Sequence, residues 1–197
     1  MKFVSESQAL ERLRRLKDDF AARIAEDFEH NAKSCVTCGT PGACCLDVHF
    51  VNVRISRLEA VAIAKTIQAL SPERQEKVRR RIDESIERYG LAEPDDAAAK
   101  TYACPLFEKG IGCLVHSTAK PLPCIQHACY ENEKDLPPDD LLAEQEGLVD
   151  ELNRRVYGNV GTLASLPVGV NLAAKSAQSP AALYDNCDHD AGDEPAA

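Results

Sequence analysis

Cys35-Val36-Thr37-Cys38-Gly39-Thr40-Pro41-Gly42-Ala43-Cys44-Cys45 is the stretch on which the reading of this chain turns. Four thiols fall within one short loop rich in Gly and Pro. A second group follows at Cys104, Cys113, Cys124 and Cys129, so eight of the nine cysteines form two clusters of four. Isolated structural cysteines behave as small hydrophobes, and thiols crowded like this are cross-linked or metallated instead. The odd total fits poorly with a closed disulfide framework. The N-terminal sequence carries charges every few residues and no apolar signal core, so a cytoplasmic address is expected, where thiols stay reduced. Metal binding is therefore the expectation.

The first loop has the mechanics of a chelate. A Cys-x-x-Cys-Gly unit lets the backbone curl around a cation, with Gly39 free to take a positive φ after the second sulfur. Pro41 and Gly42 supply another turn before Cys44-Cys45. Neighbouring side chains diverge, so these two cysteines reach different metals, or one of them is a bystander. The competing reading of Cys35 and Cys38 is a redox Cys-x-x-Cys. Such a motif opens a helix after a strand, whereas a helical segment precedes this one.

The second cluster repeats that logic with wider spacing. Cys104-Pro105, Gly112-Cys113 and Pro121-Leu122-Pro123-Cys124 set Pro or Gly beside the thiols, which keeps the backbone in turns. A Cys-Pro junction also occurs in iron–sulfur binding runs. The spacing is too irregular for one zinc ribbon. His116 and His127 each follow a cysteine by three residues, which admits a Cys/His zinc reading. Eight thiols already suffice for two four-coordinate sites, leaving the imidazoles outside the ligand set. His30 and His49 stand alone and read as structural.

Around the loops the sequence is helical. Ser5 and Gln8 have capping-box spacing, and Leu10, Leu13, Leu16 (or Lys17), Phe20, Ile24 and Phe28 mark one face of a helix to about residue 30. Residues 46–55 alternate in part and read as a short strand. Ser56 and Glu59 form a second capping box, opening a helix to about residue 70. Ser71-Pro72-Glu73 starts another, with Val78, Ile82, Ile86 and Tyr89 on its inner face and Gly90 at its end. Arg79-Arg80-Arg81 reads as a solvated face balanced by neighbouring acids. Residues 135–157 read as an acidic helix capped by Asp139 or Asp140, with Leu141, Gln145, Leu148, Leu152 and Val156 inward and Gly158 beyond. The fold class expected is mainly α, with helices packed around an irregular cysteine-loop metal-binding core and at most a short β segment. Residues 1–172 are expected as one domain and 173–197 as a disordered acidic tail. Cys187-Asp188-His189-Asp190 in that tail reads as incidental.

Composition narrows the partners. The chain has 197 residues, 44% hydrophobic, and a net charge of −9, which disfavours nonspecific binding to nucleic acid or anionic membranes. No run is long enough to span a bilayer.

The ordered pattern Cys-x-x-Cys-Gly … Cys-Cys, an extended piece, a helix pair, then Cys-Pro … Gly-Cys … Pro-x-x-Cys resembles the CxxCxxCC (YkgJ-like) family of zinc- or iron-chelating cysteine-cluster proteins. The resemblance spans residues 35–129. It carries family cysteines onto Cys35, Cys38, Cys44, Cys45, Cys104, Cys113 and Cys124, and a family proline onto Pro121. This chain departs from the pattern in placing five residues between Cys38 and Cys44, where the family has two. His116 and Lys120 stand where the family has an aromatic residue and an arginine. The family is also similar to the cysteine region of flagellin lysine methylases, which implies that an iron–sulfur cluster and methyl transfer belong among the alternatives. No nucleotide-binding fingerprint accompanies them here.

The expected ligands are thus Cys35, Cys38, Cys44, Cys45, Cys104, Cys113, Cys124 and Cys129. The expected cofactor is zinc or iron, including a 4Fe-4S cluster. Metal binding leaves two classes open: an iron–sulfur or metal-dependent enzyme or electron carrier, and a structurally metallated module with a protein partner. Zinc and iron–sulfur centres both take four thiolates, so spacing does not separate them.

Overall fold

The computed structural model describes residues 3–34, 40, 42–46, 52–92, 100–158 and 162–178. Cys35, Cys38, His49, Cys187 and the segment 179–197 lie outside the described residues.

Among the described residues there are seven helices: α1 (Glu6–Asp27), α2 (Ala43–Leu46), α3 (Arg57–Gln68), α4 (Pro72–Arg88), α5 (Leu122–Gln126), α6 (Asp139–Tyr157) and α7 (Leu166–Gln178). Six two-residue strands pair antiparallel. They are β1 (Ala32–Lys33) with β5 (Cys129–Tyr130), β2 (Arg54–Ile55) with β6 (Ala164–Ser165), and β3 (Phe107–Glu108) with β4 (Gly112–Cys113). The fold is mainly α, as its sequence periodicity requires. No helix among the described residues is long and apolar enough to cross a membrane.

Both capping boxes form. Ser5 and Gln8 satisfy each other's amides at the start of α1, and Ser56 and Glu59 do so at α3. α4 begins with Pro72 in its first turn, where the missing N–H costs nothing. α6 is capped differently from expectation. Pro138 is its N-cap, and Asp139 and Asp140 lie in the first turn, opposite the positive end of the helix dipole. Its buried face is also rotated: Leu141, Val149, Leu152 and Asn153 point inward, while Leu148 is exposed. Gly158 ends it with φ at 77°.

The helices enclose two apolar cores joined through α3. One collects Leu13, Phe20 and Ile24 of α1, Leu122 and Ile125 of α5, and Leu141, Val149 and Leu152 of α6 around Leu58. The other collects Ile63, Ile67, Val78, Ile82, Leu166 and Val170 with Tyr102, Leu106 and Val115 from the second cysteine segment. Ala62 packs against both.

α7 was not anticipated, and it runs past the boundary placed at residue 172. Its opening Leu-Pro-Val-Gly lacks a capping signature. Tertiary packing holds it instead: Leu166 and Val170 are buried, and a Cβ at Gly169 would sit 3.2 Å from Ile55 Cγ1. Glycine there lets α7 lie close on β2. The strand expected over 46–55 is observed only as Arg54–Ile55. Leu46 closes α2, and residues 47–51 lie outside the described residues.

Two buried polar groups tie these layers together. Glu59, half of a surface-type capping box by sequence, is an interior hub. Its Oε2 accepts from the Ser56 amide at 3.1 Å, and its Oε1 accepts from the Leu122 amide at 3.3 Å and pairs with Lys17 Nζ at 2.8 Å. The Lys17 side chain of α1 and the backbone amides that open α3 and α5 converge on that one carboxylate. Tyr102, fully buried, donates its hydroxyl proton to Val53 O at 2.5 Å and accepts from the Leu166 amide at 3.1 Å. Burial raises its phenol well above the ordinary tyrosine range, so it remains a donor.

Candidate metal centre

The centre is assembled from backbone turns. Gly42 adopts φ of 81°, and the amides of Cys45 and Leu46 both donate to its carbonyl, at 2.9 and 3.1 Å. That turn starts α2 and carries Cys44 and Cys45 on successive positions, with their thiols in hydrogen-bond contact. The ring of Phe107 fills the space that a Gly42 side chain would take: an ideal Cβ would lie 2.0 Å from Phe107 Cζ. Glycine is therefore required twice at position 42, for its φ and for the ring.

The same contact brings in the second cluster. The Cys104 amide donates to Cys45 O at 2.7 Å. The chain then turns back, with the Phe107 amide donating to Cys104 O at 3.3 Å, and enters the β3–β4 hairpin. Phe107 stands opposite Cys113, and Gly110 and Gly112 take φ of 82° and 102° around the tip. After Cys113 the His116 amide donates to Cys113 O at 3.2 Å. Pro121 then starts α5, which presents Cys124 in its first turn.

Cys45, Cys104, Cys113 and Cys124 consequently share one neighbourhood, supplied by α2, the turn before β3, β4 and α5. Burial pushes the Cys45 thiol up to about 12, reinforced by Cys44, Cys104 and Cys113. Burial likewise pushes Cys104 up to about 11, against the pull of the Leu106 and Phe107 amides and the Arg81 charge. Cys113 is raised by burial, with the Val115 amide and Lys120 opposing. Cys124 is raised far above the usual thiol range by burial and then by Cys104 and Cys113. Across that neighbourhood the Cys45, Cys104 and Cys124 thiols are each made harder to ionise by other members of the set. Among the described residues, no group of three or more His, Cys, Asp or Glu side chains is placed to hold a metal ion.

The donor set nonetheless fits a soft or borderline cation. Backbone amides two and three residues after Cys104, and two after Cys113, act on those sulfurs in the sense that favours thiolate. That is the turn geometry in which thiolate ligands are held and partly neutralised. Cys44, Cys45, Cys104, Cys113 and Cys124 are thiols in no disulfide.

The remaining expected residues are distributed around this group. Cys129 lies on β5, where it stands opposite Lys33, two positions before Cys35 in sequence. Cys35 and Cys38 themselves lie outside the described residues. His127 is exposed, its amide donating to Pro123 O at 3.1 Å, and desolvation with the Lys120 charge lowers its imidazole below the ordinary value. His116 is exposed and lines a cleft of about 290 Å³ between α1 and the segment before α5, with Lys120, Ser117 and Ile24.

Two participants were not foreseen. Arg81, expected on a solvated triplet, is only partly exposed, and its Nη1 donates to Phe107 O at 3.1 Å. Its position between the buried Val78 and Ile82 was the available signal. Phe107 gave no chemical signature, because its part is to fill the hollow over Gly42. No protein-family model, no curated protein and no solved structure matches this chain, so the likeness to the cysteine-cluster family rests on the cysteines and prolines themselves.

Proposed function

We propose that this protein binds a metal, zinc or iron, through a thiolate centre whose ligands are Cys45, Cys104, Cys113 and Cys124. The observation that carries the reading is the Cys104-to-Cys45 backbone hydrogen bond, which joins two cysteine segments nearly sixty positions apart. Without a cation the gathered sulfurs gain nothing from proximity, since each raises the cost of ionising the others. With one, every thiol gives up its proton and the repulsion becomes coordination.

A second set is proposed from Cys35, Cys38, Cys44 and Cys129. Its support is the β1–β5 register, which sets Cys129 beside the strand leading to Cys35. The membership in the CxxCxxCC family suggested by the spacing is proposed on the same residues.

Anaerobic purification with elemental analysis and an absorption spectrum tests the reading. Stoichiometric zinc, or iron with charge-transfer bands, is the expected result. Cys104→Ser is expected to lose metal, whereas Cys187→Ser keeps the wild-type stoichiometry. A reduced, folded protein that carries and takes up no metal would overturn the proposal.

A further inference from the structure

Arg81 is tied to the β3–β4 hairpin that carries Cys113, with part of its guanidinium unsatisfied among the described residues. Nη1 is occupied by Phe107 O at 3.1 Å, but Nε and Nη2 are buried and have no hydrogen-bond partner among the described residues. Phe107, to which the guanidinium is tied, follows Cys104 by three residues and stands opposite Cys113. The charge itself acts on Cys104. A purely structural arginine needs a partner for each buried donor, because an unpaired buried ion is costly.

Lys120 completes the pattern from another element. It is partly buried and, like Lys100, Lys109, Lys134 and Lys175, forms no ion pair among the described residues. Its charge acts on Cys113 and Cys124. Four thiolates on a divalent cation leave two negative charges uncompensated. Arg81 and Lys120 carry two positive ones.

We propose that Arg81 and Lys120 are the charge-balancing residues of the metal centre, with the buried Nε–H and Nη2–H groups of Arg81 donating to thiolate sulfur once the metal is bound. The inference rests on the metal reading above and narrows it. The pair suits a centre of four thiolates with a doubly negative net charge, and three thiolates with a water would leave one cation uncompensated. The bland alternative makes Arg81 a brace for Phe107 O and Lys120 a cleft-lining surface residue. It leaves the two buried donors of Arg81 without a role.

The test is Zn(II) affinity, measured by competition with a chromophoric chelator, in the wild type, Arg81→Met, Lys120→Met, Arg81→Lys and Lys120→Arg. Each Met variant is expected to keep the stoichiometry and lose roughly 10- to 100-fold in affinity, as removal of groups around metal ligands does. The charge-retaining variants are expected to recover most of that loss. Lys120→Met is also expected to lower the melting temperature of the zinc form but not that of the metal-free protein, whereas a cleft-lining surface residue would lower neither. If Arg81→Met does not fold, Lys120→Met against Lys120→Arg decides. Met variants that bind as tightly as wild type overturn this inference alone. A wild type that takes up no zinc or iron overturns the metal reading on which it stands.

Discussion

The amide of Cys104 donates to the carbonyl of Cys45 at 2.7 Å, and beside that bond the ring of Phe107 covers Gly42. The two cysteine segments are thus joined by backbone and by packing before any ligand bond is counted. The helix pair α3–α4 is the return path: it leaves from Ser56 and ends at Tyr89, with the two helices packed into a common core. The thiol group is therefore a product of the tertiary fold, and a peptide holding only one segment would lack half of it.

Gly42→Ala is expected to destabilise the protein by about 2–4 kcal/mol, combining a left-handed backbone that Ala resists with a ring it would strike. Bound metal should fall with it. Gly147 in α6 is the control, since a Cβ there meets nothing within 4 Å. Gly147→Ala is expected to stabilise by roughly 0.5–1 kcal/mol through helix propensity. Urea denaturation of the two variants checks both signs. Equal effects would mean that the Gly42–Phe107 approach is not a constraint.

Lys17→Met removes the partner of a carboxylate whose side chain is 5% exposed. A buried charge left alone costs about 3–5 kcal/mol. Glu59→Gln removes the unpaired charge and keeps an acceptor for one of the Ser56 and Leu122 amides, so the double variant Lys17→Met/Glu59→Gln is expected to recover part of the loss. A double-mutant cycle measures the coupling. A single-variant loss below about 1 kcal/mol would place the pair among ordinary surface bridges.

Tyr157 ties α6 to α1, donating to Glu6 Oε2 at 2.9 Å with the Arg57 guanidinium 4.0 Å from its ring centre. Burial, then Glu6, raises its phenol above the ordinary value of 10.0. A raised folded-state value means the folded protein holds this proton more tightly than the unfolded chain. The contribution is complete below pH 10 and is lost as pH rises through the folded value. Tyr157→Phe is expected to cost about 0.5–1 kcal/mol at pH 8, and the gap from wild type should narrow above pH 10. A gap that widens in alkali would contradict the assignment.

Most helix ends were legible in the sequence because local physics decides them, the Pro138 cap of α6 being an exception. The Ser5/Gln8 and Ser56/Glu59 boxes, Pro72 in the first turn of α4 and Gly158 after α6 each satisfy orphan backbone groups within a few residues. Long-range choices were not legible. Lys17 lies on the apolar face of α1 because Glu59 waits inside, and neither residue reveals the other in the chain. Ser165 stands just before α7 with its hydroxyl unpartnered among the described residues, and the helix is held by Ile55 and the core. Of the candidate ligands, spacing pointed to the cysteines as a set, but not to Cys45 joining Cys104, Cys113 and Cys124. That grouping depends on Gly42 accepting the Phe107 ring. Arg81 looked like its exposed neighbours because one helical step separates a solvated position from one facing the hairpin.

The central claim is that four cysteine sulfurs from both segments hold one metal ion, and X-ray absorption at the metal edge tests it most directly. For the zinc form of Cys35→Ser/Cys38→Ser, which leaves the Cys45, Cys104, Cys113 and Cys124 set intact, the account predicts a single shell of about four sulfurs near 2.3 Å. A shell dominated by oxygen or nitrogen, or an unchanged four-sulfur shell after Cys104→Ser is added, would contradict it.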